Sequence, residues 1–292
     1  MRILNFGSLN LDYVYQVSHF VQPGETLSAY AQSVNPGGKG LNQSVALAKT
    51  GADVYHAGCV GIGGDTLVDS LRKNGVEVSH IVPVEELQGN AVIQVDRTGE
   101  NCILLFGGSN QCVTEEQIER TLESFGEGDY LLLQNEINNL PQIIRLAGLK
   151  GLRIVLNPSP YNEKLADVDY SMLAWLIVNE VEMEQISGCA SPEGAWIQLH
   201  EKYPKLLLLV TLGEGGSIAF TEEETVFQEA LIVKAVDTTA AGDTYTGYFL
   251  AGIMEGKSLK TSMQEASIAS AVAVTRAGAA CSIPTREELS FK

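Results

Sequence analysis

Short apolar runs alternate with segments of helical periodicity along almost the whole chain. The apolar runs predict strands at 2–8, 53–60, 129–135, 152–158, 175–179 and 206–213. Several are apolar at consecutive positions, which is typical of strands that are covered on both faces of a parallel sheet. The segments between them predict helices at 40–50, 64–74, 114–124, 138–148, 180–187, 193–203, 241–255 and 260–276. This alternation predicts an α/β fold with a doubly wound, mostly parallel sheet and helices on both faces.

Two segments, 12–34 and 90–106, depart from this pattern because they alternate between polar and apolar residues. The second contains a turn at Arg97-Thr98-Gly99. They predict a small antiparallel β-lid that projects from the main sheet. The chain has 292 residues, a length that one large α/β domain can account for. We therefore predict a single domain over 1–292, with the lid strands inserted in it.

Composition restricts where the protein acts. No apolar run reaches the ~18–20 residues that a membrane-spanning helix needs, and residues 1–7 resemble a first strand more than a secretory signal. The five cysteines are scattered without CxxC spacing, which argues against a disulfide framework or a zinc site. We expect a cytoplasmic protein with reduced thiols and no membrane partner.

The formal net charge is −17, which makes nucleic acid an unexpected partner because phosphate backbones are bound by basic surfaces. A small anionic nucleotide can still bind where helix N-termini, backbone amides and a metal ion reverse the local field. Ligands of open α/β sheets lie at the carboxyl ends of the strands, and the distinctive motifs of this chain follow the predicted strands.

The segment "NPGGKGLNQSVALAKTG" (35–51) places three glycines around Lys39 at the start of a helix. Glycines allow close approach of a ligand, and a helix N-terminus offers free N–H groups. Asn42 can present a donor and an acceptor to a sugar hydroxyl. The alternative is a turn that only begins the helix. The segment is not a Walker A loop, because GxxxxGK[ST] does not occur in the chain.

The segment "GSLNLDY" (7–13) follows the first predicted strand and places Asn10 and Asp12 on one side of an extended backbone. An amide and a carboxylate suit neighbouring hydroxyl groups of a sugar. The alternative is a turn held by Asx hydrogen bonds. Glu136 follows the run "LLLQN", and the simpler interpretation is again a solvated strand end.

Two further motifs follow later strands. "VNEVEME" has Asn179 and Glu182 three residues apart, the spacing of a helix N-cap with its reciprocal acid, and a metal or nucleotide role is compatible with capping. "TLGEGGSIAF" (211–220) is either a hairpin turn or a backbone ledge for a nucleotide. Neither it nor "GIGGD" (61–65) completes a GxGxxG fingerprint.

The segment "DTTAAGDTYTGYF" (237–249) carries the strongest chemical signal. Its apolar periodicity predicts a helix that begins near Ala241, so that Ala240, Ala241 and Gly242 place N–H groups around an anion site. Asp243 then lies in the first turn, where it either complements the helix dipole or takes a proton from a substrate hydroxyl. Three residues without bulk favour the second interpretation. The four histidines fall in none of these motifs, which favours phosphoryl transfer over histidine-dependent chemistry.

Taken together, "GGKGLNQ" (37–43) and "DTTAAGDTYTG" (237–247) resemble the two signatures of the PfkB family of carbohydrate and nucleoside kinases. The resemblance extends from about Arg2 to Pro284. It implies an ATP-dependent sugar kinase, and "GGKG" followed by Asn-Gln favours transfer of the γ-phosphoryl group to the 5-hydroxyl of D-ribose.

The resemblance also implies roles for individual residues. Asp243 would be the base, beside an anion hole formed by Ala240, Ala241 and Gly242. The sugar would be held by Asn10, Leu11, Asp12, Gly38, Lys39, Gly40, Leu41, Asn42 and Glu136. ATP would be bound by Asn179, Thr211, Leu212, Gly213, Glu214, Gly215, Gly216, Gly242 and Ser267.

Metal ions and a second copy of the chain are further implied partners. Glu182 would act on Mg²⁺ through water. A monovalent cation, usually potassium, would lie beside the anion hole, with oxygen ligands from Asp237, Thr239, Ala273, Arg276, Gly278 and Ser282. A homodimer would form through the β-lid.

The chain departs from the family pattern at three places. Tyr13 stands where a histidine often follows the first aspartate, Ser267 where Asn or His is common near the adenine, and Cys281 lies in the cation loop. These departures bear on the substrate, and a kinase of another pentose such as deoxyribose, or of a nucleoside, is the alternative. A sugar-sensing protein without turnover and a dinucleotide-dependent oxidoreductase are the hypotheses from other classes.

Overall fold

The computed structural model describes residues 1–289 and contains two β-sheets. The strands are β1 (Arg2–Phe6), β2 (Asn10–Gln16), β3 (Ala31–Gly37), β4 (Asp53–Ile62), β5 (Glu77–Leu87), β6 (Asn90–Val95), β7 (Asn101–Phe106), β8 (Tyr130–Gln134), β9 (Arg153–Asn157), β10 (Leu173–Asn179), β11 (Leu207–Thr211), β12 (Ser217–Phe220) and β13 (Thr225–Gln228). The α-helices are α1 (Lys39–Lys49), α2 (Asp65–Lys73), α3 (Glu115–Leu122), α4 (Leu140–Leu149), α5 (Glu180–Ser187), α6 (Pro192–Lys202), α7 (Ala241–Met254) and α8 (Leu259–Val274).

The large sheet has nine strands in the order β13-β12-β11-β10-β9-β8-β1-β4-β5. The seven strands from β11 to β5 in this order pair in parallel, whereas β12 and β13 add an antiparallel edge. All six strands predicted from apolar runs are present, and so are the eight predicted helices. The segment 211–220 is a hairpin turn that joins β11 to β12.

The apolar runs are explained by a core on each face of this sheet. In β8, Leu131 and Leu133 belong to one core, and Tyr130 and Leu132 belong to the other. Side chains alternate between faces along a strand, so a strand covered on both faces is apolar at every position. Helices α3 to α6 supply residues to the first core, and α1, α2, α7 and α8 supply residues to the second.

The small sheet has the order β3-β2-β6-β7, in which β2 pairs antiparallel with β3 and parallel with β6, and β6 pairs antiparallel with β7. β6 and β7 fall within the predicted lid segment 90–106, whereas β2 and β3 overlap the segment 12–34 and extend beyond it to Asn10 and Gly37. Residues 17–30 between β2 and β3 contain no strand. In the register of this sheet Asn10 faces Gly37. The small sheet therefore holds the ends of two motifs side by side. Among residues 1–289, the helices are all too short or too polar to cross a bilayer.

Candidate active site

A cleft of about 240 Å³ opens at the carboxyl ends of the parallel strands, beside the N-termini of α1 and α7. This is the position where open α/β sheets bind their ligands. The cleft is lined by Lys39, Asn157, Ser159, Ile177, Val178, Asn179, Glu182, Thr211, Thr238, Ala240, Ala241, Gly242, Asp243 and Thr246. It thus joins four of the motifs that the sequence separates.

The N-terminus of α7 forms one wall of the cleft. Ala240 is the N-cap residue, with a φ of 61° in the left-handed region, and its carbonyl accepts hydrogen bonds from the backbone N–H and the hydroxyl of Thr244, each at 2.8 Å. A Cβ added at Gly242 would meet no atom within 4 Å. The fold therefore does not require a glycine at this position, and its missing side chain leaves room in the cleft.

Asp243 lies in the first turn of α7 and is 7% exposed. Its carboxylate accepts hydrogen bonds from Asn42 Nδ2 at 3.0 Å and from Gln43 Nε2 at 2.9 Å. Both donors belong to α1, which packs closely on α7. The close packing depends on Gly247, since a Cβ there would lie 2.5 Å from the Cβ of Ala46. The two signature segments therefore meet at the aspartate.

The sequence predicts that Asn42 acts as both donor and acceptor toward a sugar. One of its two amide N–H groups donates to Asp243, and its Oδ1 is buried without a hydrogen-bond partner among residues 1–289. The acceptor oxygen and the second N–H are therefore not used by Asp243. An unpaired buried carbonyl oxygen costs stability, which a ligand hydroxyl would recover by donating to it.

Asn10 and Asp12 lie on the same side of β2, and both are buried, as the alternation of the extended segment predicts. Asn10 Oδ1 accepts a hydrogen bond from Asn110 Nδ2 at 2.7 Å. Burial, together with the negative charges of Glu136 and Asp243, raises the pKa of Asp12 to about 7. Asp12 therefore faces the same region as the other two carboxylates.

Glu136 accepts hydrogen bonds from the hydroxyl of Ser8 and from the backbone N–H of Lys39 at 3.0 Å. Burial raises its pKa, although the Lys39 ammonium and these hydrogen bonds oppose the shift. The simpler interpretation of Glu136 as a solvated strand end is not what the structure shows. The carboxylate is tied to the glycine-rich segment.

The glycine-rich segment 38–42 consists of Gly38, which joins β3 to α1, and the first turn of α1. Gly38 has a φ of 91°, and Leu41 donates its N–H to the carbonyl of Ser8 at 3.0 Å while its side chain lies in the core. Lys39 lines the cleft. Burial lowers the pKa of its ammonium, but Asp243, Glu136 and Glu182 outweigh this effect and raise the pKa above its usual value. Lys39 therefore stays positively charged beside the carboxylates.

Asn179 and Glu182 form a capping box at the start of α5, and both also line the cleft. Asn179 Oδ1 accepts from the Glu182 N–H at 2.8 Å, and Glu182 Oε2 accepts from the Asn179 N–H at 3.1 Å. The capping interpretation is thus confirmed, and the cleft position leaves a ligand role open to the same two side chains.

Thr211 is the member of the 211–216 segment that lines the cleft. Residues Leu212 to Gly216, including Gly213, Glu214 and Gly215, form the tight turn after β11, in which the Leu212 N–H donates to the Gly216 carbonyl at 2.8 Å. Ser267 lies in α8, and its hydroxyl donates to the carbonyl of Glu229 at 3.4 Å. These residues lie outside the cleft lining.

Five of the six predicted cation ligands form two hydrogen-bonded groups near the end of α8, one around Asp237 and one between Ala273 and Arg276. Asp237 accepts from the N–H groups of Thr239 and Gly278, each at 2.9 Å, and donates its own N–H to Val274 at 3.2 Å. The Arg276 N–H donates to the Ala273 carbonyl at 3.0 Å. Burial raises the pKa of Asp237, but its hydrogen bonds outweigh this and hold the pKa below its usual value. Ser282 is buried in the same loop and donates to the Ala279 carbonyl at 2.8 Å.

Sequence reasoning missed several polar residues at the site. Asn157 at the end of β9 and Ser159 just after it line the cleft, and Asn110 donates a hydrogen bond to Asn10. Asn157 ends an apolar run, so the rule that ligands lie at strand ends could have indicated it. Asn110 follows β7 in a short turn and carries no local signal. Among residues 1–289, no three His, Cys, Asp or Glu side chains are grouped as a metal site.

This architecture is shared with known proteins. The model of the "pfkB family carbohydrate kinase" family matches residues 2–286. Ribokinase of Haemophilus influenzae is 34% identical over 97% of this chain and 95% of its own length. The structure of ribokinase from Cryptococcus neoformans var. grubii serotype A in complex with ADP has a TM-score of 0.88 and 32% identity, covering 99% of this chain and 98% of that one. The structure of Arabidopsis thaliana ribokinase complexed with ribose and ATP has a TM-score of 0.85 and 27% identity, covering 99% and 97%.

The fold and the cleft define a phosphotransferase of the sugar kinase class, with a parallel sheet, a small lid sheet and a buried aspartate at a helix N-terminus. The chain belongs to the PfkB family of carbohydrate kinases.

Proposed function

We propose that the protein is an ATP-dependent kinase that transfers the γ-phosphoryl group to the 5-hydroxyl of D-ribose. Several relatives named ribokinase are at least 30% identical over nearly the whole chain, and a structural neighbour is complexed with ribose and ATP. The proposal takes residues 1–292 as one domain in which the small sheet serves as the lid.

The observation that carries this proposal is the position of Asp243. Its buried carboxylate shares one cleft with the amides of Ala241 and Gly242, and with Lys39. A hydroxyl placed against Asp243 can lose its proton to the carboxylate. The N–H groups at the start of α7 and the Lys39 ammonium stabilise the negative oxygens of a phosphoryl group in transfer.

The ribose would lie on the side of the small sheet. Asn10 and Asp12 are buried and Glu136 is partly buried in this region, and Asn42 contributes an unpaired acceptor oxygen. Neighbouring hydroxyls of a sugar can donate to these carboxylates and amide oxygens. The remaining proposed contacts come from the backbone of Leu11, Gly38, Gly40 and Leu41.

The nucleotide would lie on the opposite side, along Asn179, Thr211, the turn Leu212–Gly216 and Ser267. Glu182 supplies one carboxylate at the cleft, which fits Mg²⁺ because this ion commonly keeps water ligands and binds one or two carboxylates together with substrate phosphates. Mg²⁺ would neutralise phosphate charge there.

A monovalent cation fits the loop of Asp237. The carboxylate is partly buried, its pKa is held low, and it adjoins the backbone of Thr239 and Gly278. Such a cation would strengthen the positive field near the anion site. We expect potassium to raise turnover relative to a sodium or choline control, and equal turnover in all three salts would exclude this assignment.

We also propose a homodimer that forms through the lid. Strand β7 is an edge of the small sheet, and its Ile103, Leu104, Leu105 and Phe106 are all exposed, Leu104 to 71%. Apolar side chains on an open edge strand are typical of an interface. Leu104→Glu is expected to yield monomers in sedimentation velocity; a wild-type protein that sediments as a monomer would contradict the proposal. The free thiols and the use of ATP suit a cytoplasmic enzyme.

The substrate is tested by ADP release with a panel of D-ribose, 2-deoxyribose, other pentoses and nucleosides, followed by ³¹P NMR of the product. We expect the highest kcat/KM with D-ribose and a phosphomonoester at the 5-position. A large preference for deoxyribose or a nucleoside would reject ribose, and binding of sugar without ADP release would reject the kinase.

A further inference from the structure

A chain of buried amide side chains leads away from the Asp243 carboxylate. Gln43 donates to Asp243 Oδ1 at 2.9 Å and to Asn157 Oδ1 at 3.0 Å. The Gln43 Oε1 accepts from Gln134 Nε2 at 2.7 Å, and Gln134 Nε2 also donates to Asn5 Oδ1 at 3.0 Å. The four amides come from α1, β9, β8 and β1.

The direction of every hydrogen bond in this chain is fixed by its ends. Asn157 donates to the backbone carbonyl of Ile177 at 2.9 Å, and Asn5 donates to the carbonyl of Gly40 at 2.7 Å. Backbone carbonyls only accept, so these two amides must turn their oxygens inward. Gln134 must then present N–H groups to both Asn5 and Gln43.

The orientation of the Gln43 amide follows from that of Gln134. With its oxygen held by Gln134, Gln43 turns its NH₂ group toward Asp243. A reversed Gln43 amide would place its oxygen against the oxygens of Asp243 and Asn157, and its NH₂ against the NH₂ of Gln134. The network therefore leaves one arrangement, in which the catalytic carboxylate receives a donor.

Gln134 is an unusual residue for a purely structural position. It is 0% exposed, and its Oε1 has no hydrogen-bond partner among residues 1–289. A buried acceptor without a donor destabilises the protein, and an apolar residue of the same size would avoid that cost. What the glutamine supplies instead is a pair of donors with a fixed direction.

We propose that Gln134 is a positioning residue for the phosphoryl transfer, which acts by orienting the Gln43 amide against the carboxylate of Asp243. The inference rests on the proposed function, because it assigns Asp243 as the base. Gln134 does not line the cleft and belongs to neither signature segment. It acts on the reaction only through Gln43.

The test compares Gln43→Met, Gln134→Met and the double variant by steady-state kinetics with D-ribose and ATP. Gln43→Met removes a hydrogen bond to a charged group, and the free energy of such a bond corresponds to a loss in kcat of about 10- to 100-fold. For Gln134→Met, which acts indirectly, we expect a loss in kcat of about 10-fold. We expect both KM values to stay within about threefold. Because Gln134 acts through Gln43, the double variant is expected to have the kcat of Gln43→Met alone.

The matched control is Gln117→Met. Gln117 is also buried, at 3% exposed, and its amide donates to the Gly58 carbonyl at 2.7 Å and accepts from the Cys59 thiol, so its partners differ from those of Gln43 and Asp243. We expect it to lower the melting temperature about as much as Gln134→Met does, with an unchanged kcat. Gln134→Asn is a second variant, which keeps an amide but is too short to reach Gln43. We expect it to destabilise the fold less than Gln134→Met and to lower kcat by the same factor.

Wild-type kcat in Gln43→Met, Gln134→Met or Gln134→Asn would overturn the proposal, and so would losses that multiply in the double variant. The result is separable from the substrate assignment. If the wild-type protein phosphorylates another sugar and not ribose, the ribose assignment fails, and the same variants are compared on that sugar.

Discussion

Two groups of polar residues at the site are built in different ways. The group toward the small sheet, which we call the acceptor wall, consists of Asn10, Asp12, Asn42 and Glu136, which lie outside the cleft lining. Asn10, Asp12 and Asn42 are buried and Glu136 is partly buried, and Asn10, Asn42 and Glu136 are hydrogen-bonded to partners far away in the sequence. The second group, which we call the nucleotide wall, lines the cleft and consists of Asn179, Glu182 and Thr211, and its bonds are to near neighbours or the adjacent strand.

This difference suggests that one group of residues determines ligand specificity and the other supports the backbone. Buried polar groups with fixed partners are arranged before the ligand arrives, and a ligand that does not match leaves them unpaired. Local caps and turns hold the backbone in place whatever ligand is bound. We therefore expect changes in the acceptor wall to affect the reaction with the sugar, and changes in the nucleotide wall to affect stability and ATP.

Asp243 adjoins both walls, and its replacement should have the largest effect. Asp243→Asn keeps the size of the side chain but removes the acceptor for the hydroxyl proton. We expect kcat to fall by about 10²- to 10⁴-fold, with ribose affinity nearly unchanged in calorimetric titration. Turnover at the wild-type rate would show that another group takes the proton.

Two glycines of α7 allow a second comparison. Gly242→Ala adds a methyl group that meets no protein atom within 4 Å. We expect an unchanged or slightly higher melting temperature, because alanine favours the helix, and a kcat lowered by about 10- to 100-fold, because the methyl group occupies the anion site. Gly247→Ala is the control and should destabilise the protein through its contact with Ala46. Full activity in Gly242→Ala would exclude the anion site.

Much of the fold could be predicted from the sequence because buried parallel strands are apolar at consecutive positions. The three strands that were missed lack this signal. β5 alternates between exposed and partly buried residues and contains Pro83 at the edge of the sheet. β12 and β13 have four residues each, too few for a recognisable pattern. A hydrophobic pattern does not reveal a strand that buries little apolar surface or that is very short.

The site residues that belong to contiguous sequence motifs could be predicted. Those whose role depends on partners distant in the sequence could not. Asp243 and the glycine-rich segment stand in conspicuous stretches. Gln43 is hydrogen-bonded to Gln134 across 91 positions of sequence, and a single glutamine at the end of a strand carries no local signal of such a contact. Asn42 lies in a conspicuous motif, but the hydrogen bond that one of its amide N–H groups donates to Asp243 is revealed only by the packing of α1 on α7.

Asp12 makes the acceptor wall sensitive to pH. Its pKa of about 7 exceeds the ~3.9 of an unfolded aspartate, so the folded protein binds more protons between those two values. Ionisation of Asp12 therefore destabilises the ligand-free protein as pH rises through this window. We expect Asp12→Asn to raise the melting temperature more at pH 8 than at pH 5, and to raise the KM for ribose about 10-fold. An equal gain at both pH values would place the Asp12 pKa near its ordinary value.

The smallest effect is expected on the nucleotide wall, where Asn179→Ala removes the acceptor for the Glu182 N–H. Loss of an N-cap costs about 1 kcal/mol. Ser191→Ala is the matched control, because Ser191 caps α6 by accepting from the Gly194 N–H at 3.2 Å and does not line the cleft. We expect similar losses of stability in urea denaturation, and a rise in the KM for ATP of about threefold in Asn179→Ala only. If both variants leave the KM for ATP unchanged, Asn179 acts only as a helix cap and does not belong to the nucleotide wall.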